Sequence, residues 1–456
     1  MKTVQRNDHK VRHRKKGMSQ TQIISLGFFL IIIIGALLLS LPISSRSRQV
    51  TPFLDCLFTA TSASCVTGLV TVDTYQNWSL FGQCVILVMI QIGGLGFMTI
   101  ATFFFILIKK KLGLRERQVL SESINTPEIG GILQLAKRII AVTAVIEGTG
   151  AALLSIRFCK LFGPAKGIFY GIFHSVSAFC NAGFDLFGSY GAFSSLTPFV
   201  GDVLVNIVIM CLIIIGGLGF LVWDDVLNYG IKLRKYRLHS KIVLFISAIL
   251  VFGGAVILFF TEKDYSNSGF GIGERILASL FGSVTARTAG FNTVDTASLS
   301  PAGKILTTVL MFIGGSPGST AGGIKTTTFI TLLLFGFSYI RKNNSFGMFG
   351  RRIGADMLEK ATAVFVTNLS LLLVSSVIIC AADGLPVADV IFETTSAVAT
   401  VGMSTGITRS LSTVSRITVI FLMYCGRVGS LSFAGALAER KAPPPVMPPV
   451  EKITIG

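Results

Sequence analysis

Charged side chains are scarce. Asp, Glu, Lys and Arg make up 14% of the 456 residues, against about 25% in an ordinary soluble domain. With a mean hydropathy of +0.72, most of this chain has lipid rather than water as its solvent. Histidine is rare too, with 4 residues. The eight cysteines (Cys56, Cys65, Cys84, Cys159, Cys180, Cys211, Cys380 and Cys425) include no CxxC pair. These absences argue against the usual metal-ligand spacings and against a disulfide framework. No His/Asp/Glu cluster offers acid–base or metal chemistry, so catalytic residues are not expected and the chain does not read as an enzyme. No G-x-G-x-x-G follows a strand, which leaves the chain without a dinucleotide-binding domain.

What is present is long apolar runs. A spanning helix needs about 20 apolar residues, and eight segments qualify: 21–43, 82–108, 139–158, 199–223, 242–261, 304–338, 361–382 and 413–437. The first is too long for a signal peptide and lacks a small-residue cleavage site. The formal charge of +18 raises the question of nucleic acid, but its placement answers it. Of 40 Lys and Arg, 27 lie in segments 1–20, 109–138, 224–241, 341–360 and the C-terminal tail. The four intervening segments hold 11, and Lys325 and Arg427 lie within spans. Such alternation is the positive-inside pattern, so both termini are expected in the cytoplasm and the basic tails beside anionic lipid headgroups, with no nucleic-acid partner.

Each outward segment contains a stretch too apolar for an aqueous loop and too short to cross. These are "TPFLDCLFTATSAS" (51–64), "GIFYGIFHSVSAF" (167–179), "ERILASLFGSVTA" (274–286) and "VADVIFETTSAV" (387–398). A dozen residues suits a helix that goes half way and returns. A glycine follows each: "SCVTGL" around Gly68, "FCNAGF" around Gly183, "ARTAGF" around Gly290 and "ATVGMS" around Gly402. The spacing Phe-x4-Ala-x4-Gly holds at Phe58/Ala63/Gly68, Phe173/Ala178/Gly183 and Phe392/Ala397/Gly402. In the third repeat Leu280 and Thr285 stand at those offsets. The glycines are 115, 107 and 112 residues apart, an internal repeat that outranks any single motif. A second echo lies in each following span: "IGGLGF" (92–97), "IGGLGF" (215–220), "IGGSPG" (313–318) and "CGRVGS" (425–430). For the first two, close helix packing is the expected role.

The chain therefore reads as all-α and membrane-integral: span, half-helix, glycine turn, span, four times around one central pathway. Half-helices aimed inward present C-terminal ends, whose dipole favours a cation. Beyond them, backbone carbonyls can replace a hydration shell, and glycine lets the backbone come close to an ion. No ring of carboxylates lines the turns, which points to a monovalent cation.

These four turns in phase resemble the Trk/Ktr/HKT superfamily of potassium transporters, over nearly the whole chain from about Ser19 to Ala438. Length and short tails make the chain most similar to the bacterial KtrB-type membrane subunits. The resemblance implies four M1-P-M2 repeats with eight spanning helices in the bacterial plasma membrane. The map is a basic tail 1–20, repeat 1 at 21–108, loop 109–138, repeat 2 at 139–223 and loop 224–241. Repeat 3 follows at 242–340, then loop 341–360, repeat 4 at 361–437 and a tail at 438–456. It implies a selectivity filter at Val66, Thr67, Gly68, Asn181, Ala182, Gly183, Thr288, Ala289, Gly290, Thr400, Val401 and Gly402, with potassium held by carbonyls. Some plant relatives with serine at the first glycine prefer sodium; Gly68 implies potassium. The resemblance also implies a homodimer and a cytosolic ring of RCK-type nucleotide-binding subunits. The chain itself is expected to hold no cofactor, with sodium a candidate activator. The competing expectation is a repeat-built secondary transporter of another small solute, but such repeats are usually inverted, whereas these four share one topology.

"GGSPGSTAGGIKTTT" (314–328) interrupts the sixth span. It imitates a phosphate-binding loop, yet Ile324 stands where G-x-x-x-x-G-K-[ST] requires lysine. Irregular backbone at membrane depth belongs where protein buries it or a cavity borders it. The resemblance makes 314–323 a gate, with Gly314, Gly315, Ser316, Gly318, Ser319, Thr320, Gly322 and Gly323 as its mobile backbone and hydroxyls. Pro317 would stiffen its start. An intramembrane arginine must face the pore or a polar partner, and the resemblance sets Arg427 beside the gate as donor to its carbonyls. Lys325 is expected to turn to the cytoplasmic mouth, and Glu147 to be a hydrogen-bonded brace. Arg287 is expected to pair with Asp185, Glu393 or Asp295.

Overall fold

The computed structural model describes residues 18–96, 98–100, 102, 113–124, 131–342 and 346–429, with 449 and 451. Among the described residues the regular elements are helices and one short hairpin, β1 (Gly347–Met348) against β2 (Arg351–Arg352). In repeat 1, α1 (Gln20–Leu39) precedes the half-helix α2 (Phe53–Ser64) and the second span α3 (Leu80–Leu95).

 The short helix α4 (Leu114–Ile124) leads into repeat 2, with α5 (Ile132–Phe162), half-helix α6 (Pro164–Phe179), α7 (Val203–Leu218) and α8 (Phe220–Tyr229). Repeat 3 has α9 (Leu238–Thr261), half-helix α10 (Ile272–Thr285), α11 (Pro301–Ile313) and α12 (Thr326–Ile340). Repeat 4 has α13 (Ala355–Asp383), half-helix α14 (Val387–Val398) and α15 (Thr413–Val428).

The four first spans, α1, α5, α9 and α13, are each long and apolar enough to cross a membrane. Their outward faces carry exposed Phe29, Val145, Phe252 and Val377, as lipid contact requires. The second spans start alike. Ser79, Asp202, Ser300 and Ser412 cap α3, α7, α11 and α15, each accepting from the backbone N–H three residues on, which satisfies one of the orphan donors of the first turn.

They also end alike, and here the sequence expectation is corrected. The segments 82–108, 199–223 and 413–437 do not run as continuous spans. All four second spans stop at a glycine of positive φ: Gly96 (79°), Gly219 (95°), Gly314 (52°) and Gly429 (92°). Sixteen residues make about 24 Å of helix, short of the roughly 30 Å hydrocarbon core. After Gly219 the chain turns by 97° into α8. The continuations of 82–108 and 413–437 lie largely outside the described residues.

Ring closure follows from a repeated contact. Each second span packs on the half-helix of the next repeat: α3 on α6, α7 on α10, α11 on α14, and α15 back on α2. Ion pairs follow the same rule at two of these seams. Lys304 meets Asp389 at 3.1 Å and Arg416 meets Asp55 at 2.9 Å. Both acids lie in the first turn of a half-helix, where a negative charge also suits the helix dipole.

Candidate functional site

The half-helices end beside one another, and the turns after them form a closed ring. A Cβ on Gly68 would stand 2.5 Å from the carbonyl oxygen of Ala182, one on Gly183 2.7 Å from that of Ala289, and one on Gly290 2.5 Å from that of Val401. One on Gly402 would collide with the carbonyl of Thr67, completing the circuit. The twelve residues expected at the filter thus come together in repeat order, 1 to 2 to 3 to 4 and back to 1. A side chain at any of the four glycines would force the neighbouring backbone to shift.

Backbone shape repeats as well. Val66, Asn181, Thr288 and Thr400 have φ of 55°, 59°, 73° and 50°, and the glycine two places later is again positive in every repeat. Positive φ at a β-branched residue is strained, so the surroundings must hold it. Hydroxyls of the half-helices do so. Gly68 and Gly402 donate N–H bonds of 3.0 Å to Ser62 and Ser396. In repeat 2 the matching Ser177 instead donates to Phe184 O at 2.8 Å, and in repeat 3 Thr285 donates to Phe291 O at 2.7 Å. Val284 stands at the serine position of the third repeat, so the repeat that departs in sequence also departs in its bracing.

On one side of the ring lies a cavity of about 70 Å³ that all four glycines border, together with Asp73 and Asp185. Asp73 accepts from the N–H groups of Gln76 and Phe193, both at 2.7 Å, and Asp185 from Phe187 N at 3.0 Å. The sequence reading missed Asp73 and named Asp185 only as a partner for Arg287. Their position, five and two residues after a repeat glycine, was the available signal.

Under the ring, residues 314–325 are non-helical between α11 and α12. The loop packs on repeats 2 and 4 and is linked to repeat 1 through Arg427. Ser316 N donates to Gly217 O at 3.1 Å and Thr320 N to Gly216 O at 3.3 Å, while Phe220 N donates back to Gly318 O at 2.7 Å. Thr320 Oγ1 donates to Phe179 O, the end of a half-helix, at 3.1 Å. A Cβ on Gly322 would run into Thr400 and sit 2.6 Å from Ala399 O. Arg427 donates to Thr320 O at 2.6 Å, to Gly94 O at 3.0 Å and to Gly93 O, tying the loop to repeats 4 and 1.

The glycine pairs of the second spans do pack closely, and they also terminate helices. Gly93, Gly216 and Gly426, each three residues before the break, lie against the carbonyl of the last half-helix residue, Ser64, Phe179 and Val398 respectively. Met311 occupies that offset in repeat 3. Lys325 corrects its expectation: Nζ folds back on Ala321 O at 2.6 Å and Gly322 O at 3.3 Å instead of reaching for a mouth. Glu147 accepts from Gln91 Nε2 at 3.1 Å. Arg287 pairs with none of the three acids expected. It donates to Ser247 Oγ at 3.0 Å. Glu393 instead accepts from Ser404 at 2.9 Å and from Thr408.

Fold and ring define the class: a multi-pass membrane protein of four M1-P-M2 repeats around one centre. The family model described as TrkH, cation transport protein, matches residues 3–442. The chain belongs to that family. It is 42% identical over 449 residues to the potassium/sodium uptake protein NtpJ of Enterococcus hirae, covering 97% of this chain and 98% of the relative. It is 40% identical over 422 residues to the Ktr system potassium uptake protein B of Bacillus subtilis, covering 92% and 93%. The fold is shared with the potassium transporter TrkH from Vibrio parahaemolyticus, with a TM-score of 0.74 at 17% identity over 94% of this chain and 86% of that one.

Proposed function

We propose that this chain is the ion-translocating subunit of a potassium uptake system, and that the four glycine turns are its selectivity filter. The observation that carries the reading is the closed ring, in which four glycines border one cavity and each abuts a carbonyl of the next repeat. Carbonyls can replace the hydration shell of a monovalent cation. Four half-helix C-termini, each carrying about half a negative charge, favour a cation at the centre. The buried hydroxyls of Thr67 and Thr400 have no hydrogen-bond partner, which suits an ion at the ring. The names of the relatives, potassium uptake and potassium/sodium uptake, support the cargo.

The loop 314–323 acts as the gate beneath this filter, with Arg427 and Lys325 as its clamps. Three loop carbonyls, of Thr320, Ala321 and Gly322, accept from these two cations, which holds the loop shut and sets positive charge in the path. The chain works as a homodimer in the bacterial plasma membrane, termini in the cytoplasm, and answers to a separate nucleotide-binding ring. The Ktr system relatives support a multi-component assembly.

Rubidium-86 uptake into liposomes holding the purified chain tests this, with potassium, sodium and cesium as competitors. Potassium should compete best. Flux that no alkali cation inhibits would reject the filter assignment.

A further inference from the structure

Among the described residues, Lys325, Arg427 and Arg287 are cationic side chains in the apolar interior, and they are not satisfied alike. Lys325 and Arg427 rest on backbone carbonyls. Arg287 is 7% exposed and donates to a single hydroxyl, that of Ser247 on α9 at 3.0 Å. Its Nε is buried without a partner. No carboxylate among the described residues lies within ion-pair distance of it. A guanidinium does not shed its proton in a protein, and an uncompensated buried charge is costly. Asp185, Glu393 and Asp295 are occupied elsewhere, by Phe187 N, by Ser404 and Thr408, and by Ala297 N.

Arg287 lines a crevice between α7 and α9, whose other walls include Ile213, Leu218, Val251 and Gly217. The crevice also touches Gly315 of the loop beneath the ring. Its room is about 10 Å³, enough for a guest of roughly one water molecule's size. A water there would accept a hydrogen bond and leave the charge in place. A small anion does both jobs, and a phosphate or a lipid headgroup is too large.

We infer that this crevice binds a small monoanion of the halide class, chloride above all, on the guanidinium of Arg287. Such an anion would lie behind Thr288, the next residue and the first of the third glycine turn. It would offset the repulsion that Arg287 otherwise exerts on a cation in the ring. Because Gly315 forms part of the wall, movement of the loop would open or close the site. The anion site stands on the geometry of Arg287 and is independent of the transport reading.

Crystals of the full chain grown with bromide in place of chloride give the direct test by anomalous scattering. A bromide peak in contact with the Arg287 guanidinium is expected. A peak-free crevice, or water alone at saturating bromide, overturns the proposal. In solution, the thermal unfolding midpoint should be higher in chloride or bromide than in gluconate, at fixed potassium and ionic strength. The Arg287→Gln variant should lose that difference while keeping its response to potassium. Equal midpoints in chloride and gluconate for the unaltered chain would also sink the idea. The crystal test needs no variant, so a misfolded Arg287→Gln protein leaves it decisive. Bromide bound to a protein that passes no rubidium would keep the anion site and remove the transport function.

Discussion

Replacing Arg427 by alanine removes the bond between the loop and the last helix. The guanidinium donates to Thr320 O at 2.6 Å, and its remaining bonds go to Gly93 and Gly94 rather than to the loop. A hydrogen bond from a charged group contributes about 1.5–3 kcal/mol. Losing only the Thr320 bond weakens the closed loop by that amount. At about 1.4 kcal/mol per factor of ten, the open population of a mostly closed gate rises roughly tenfold to a hundredfold. The remaining ties, from Ser316 N to Gly217 O and from Thr320 N to Gly216 O, favour the lower end. Initial rubidium-86 uptake into liposomes should therefore increase about tenfold at unchanged potassium-over-sodium preference, since the glycine ring is untouched. Deleting Ser316 to Gly322 should act in the same direction, and combining the two should add little, because both act on one element. A variant that inserts and folds normally yet conducts no faster than the parent refutes the clamp.

Gly68→Ser forces a side chain onto a backbone at φ 96° and sets its Cβ 2.5 Å from Ala182 O. Lower potassium-over-sodium preference is expected in competitive flux, and unchanged preference would remove Gly68 from the filter. Gly93→Ala drives a methyl into Ser64 O and to 2.8 Å from the Val66 side chain. Overpacking of this kind costs about 1–3 kcal/mol, so the unfolding midpoint should fall, whereas Gly148→Ala, with nothing within 4 Å, should leave it within a degree or two. The purified chain alone should bind neither ATP nor ADP by calorimetry, and tight binding would revive the phosphate-loop reading of 314–328.

The ring was legible because four copies of one spacing reinforce each other. Phe58, Ala63 and Gly68 mean little alone, but their echoes at Phe173 and Phe392 put each turn at the end of a short apolar helix. The loop at 314–323 was legible because serine, threonine and glycine replace apolar residues there. The breaks at Gly96, Gly219 and Gly429 were not. "IGGLGF" has the hydropathy of an unbroken span, and a positive φ leaves no mark on composition. The partners of Lys325 and Arg287 also escaped the sequence. A buried cation suggests a carboxylate, but backbone carbonyls, one of them four residues away, can accept from Lys325, and no motif records where carbonyls point.

Four second spans end in the same kind of break, and the loop that follows the third packs on repeats 2 and 4 and is linked to repeat 1 through Arg427. A tetramer of identical subunits could not manage this, since anything lying on a fourfold axis must come in four copies or be smeared over four orientations. Fusing the quadrants into one polypeptide lifts that rule. The quadrants can then diverge, with Met311 and Val284 in the third where its sisters carry glycine and serine. Damage to the chain is accordingly felt unequally. A change in one glycine turn alters a quarter of the ring, whereas a change in the third quadrant's loop is felt in repeats 2 and 4 and, through Arg427, in repeat 1.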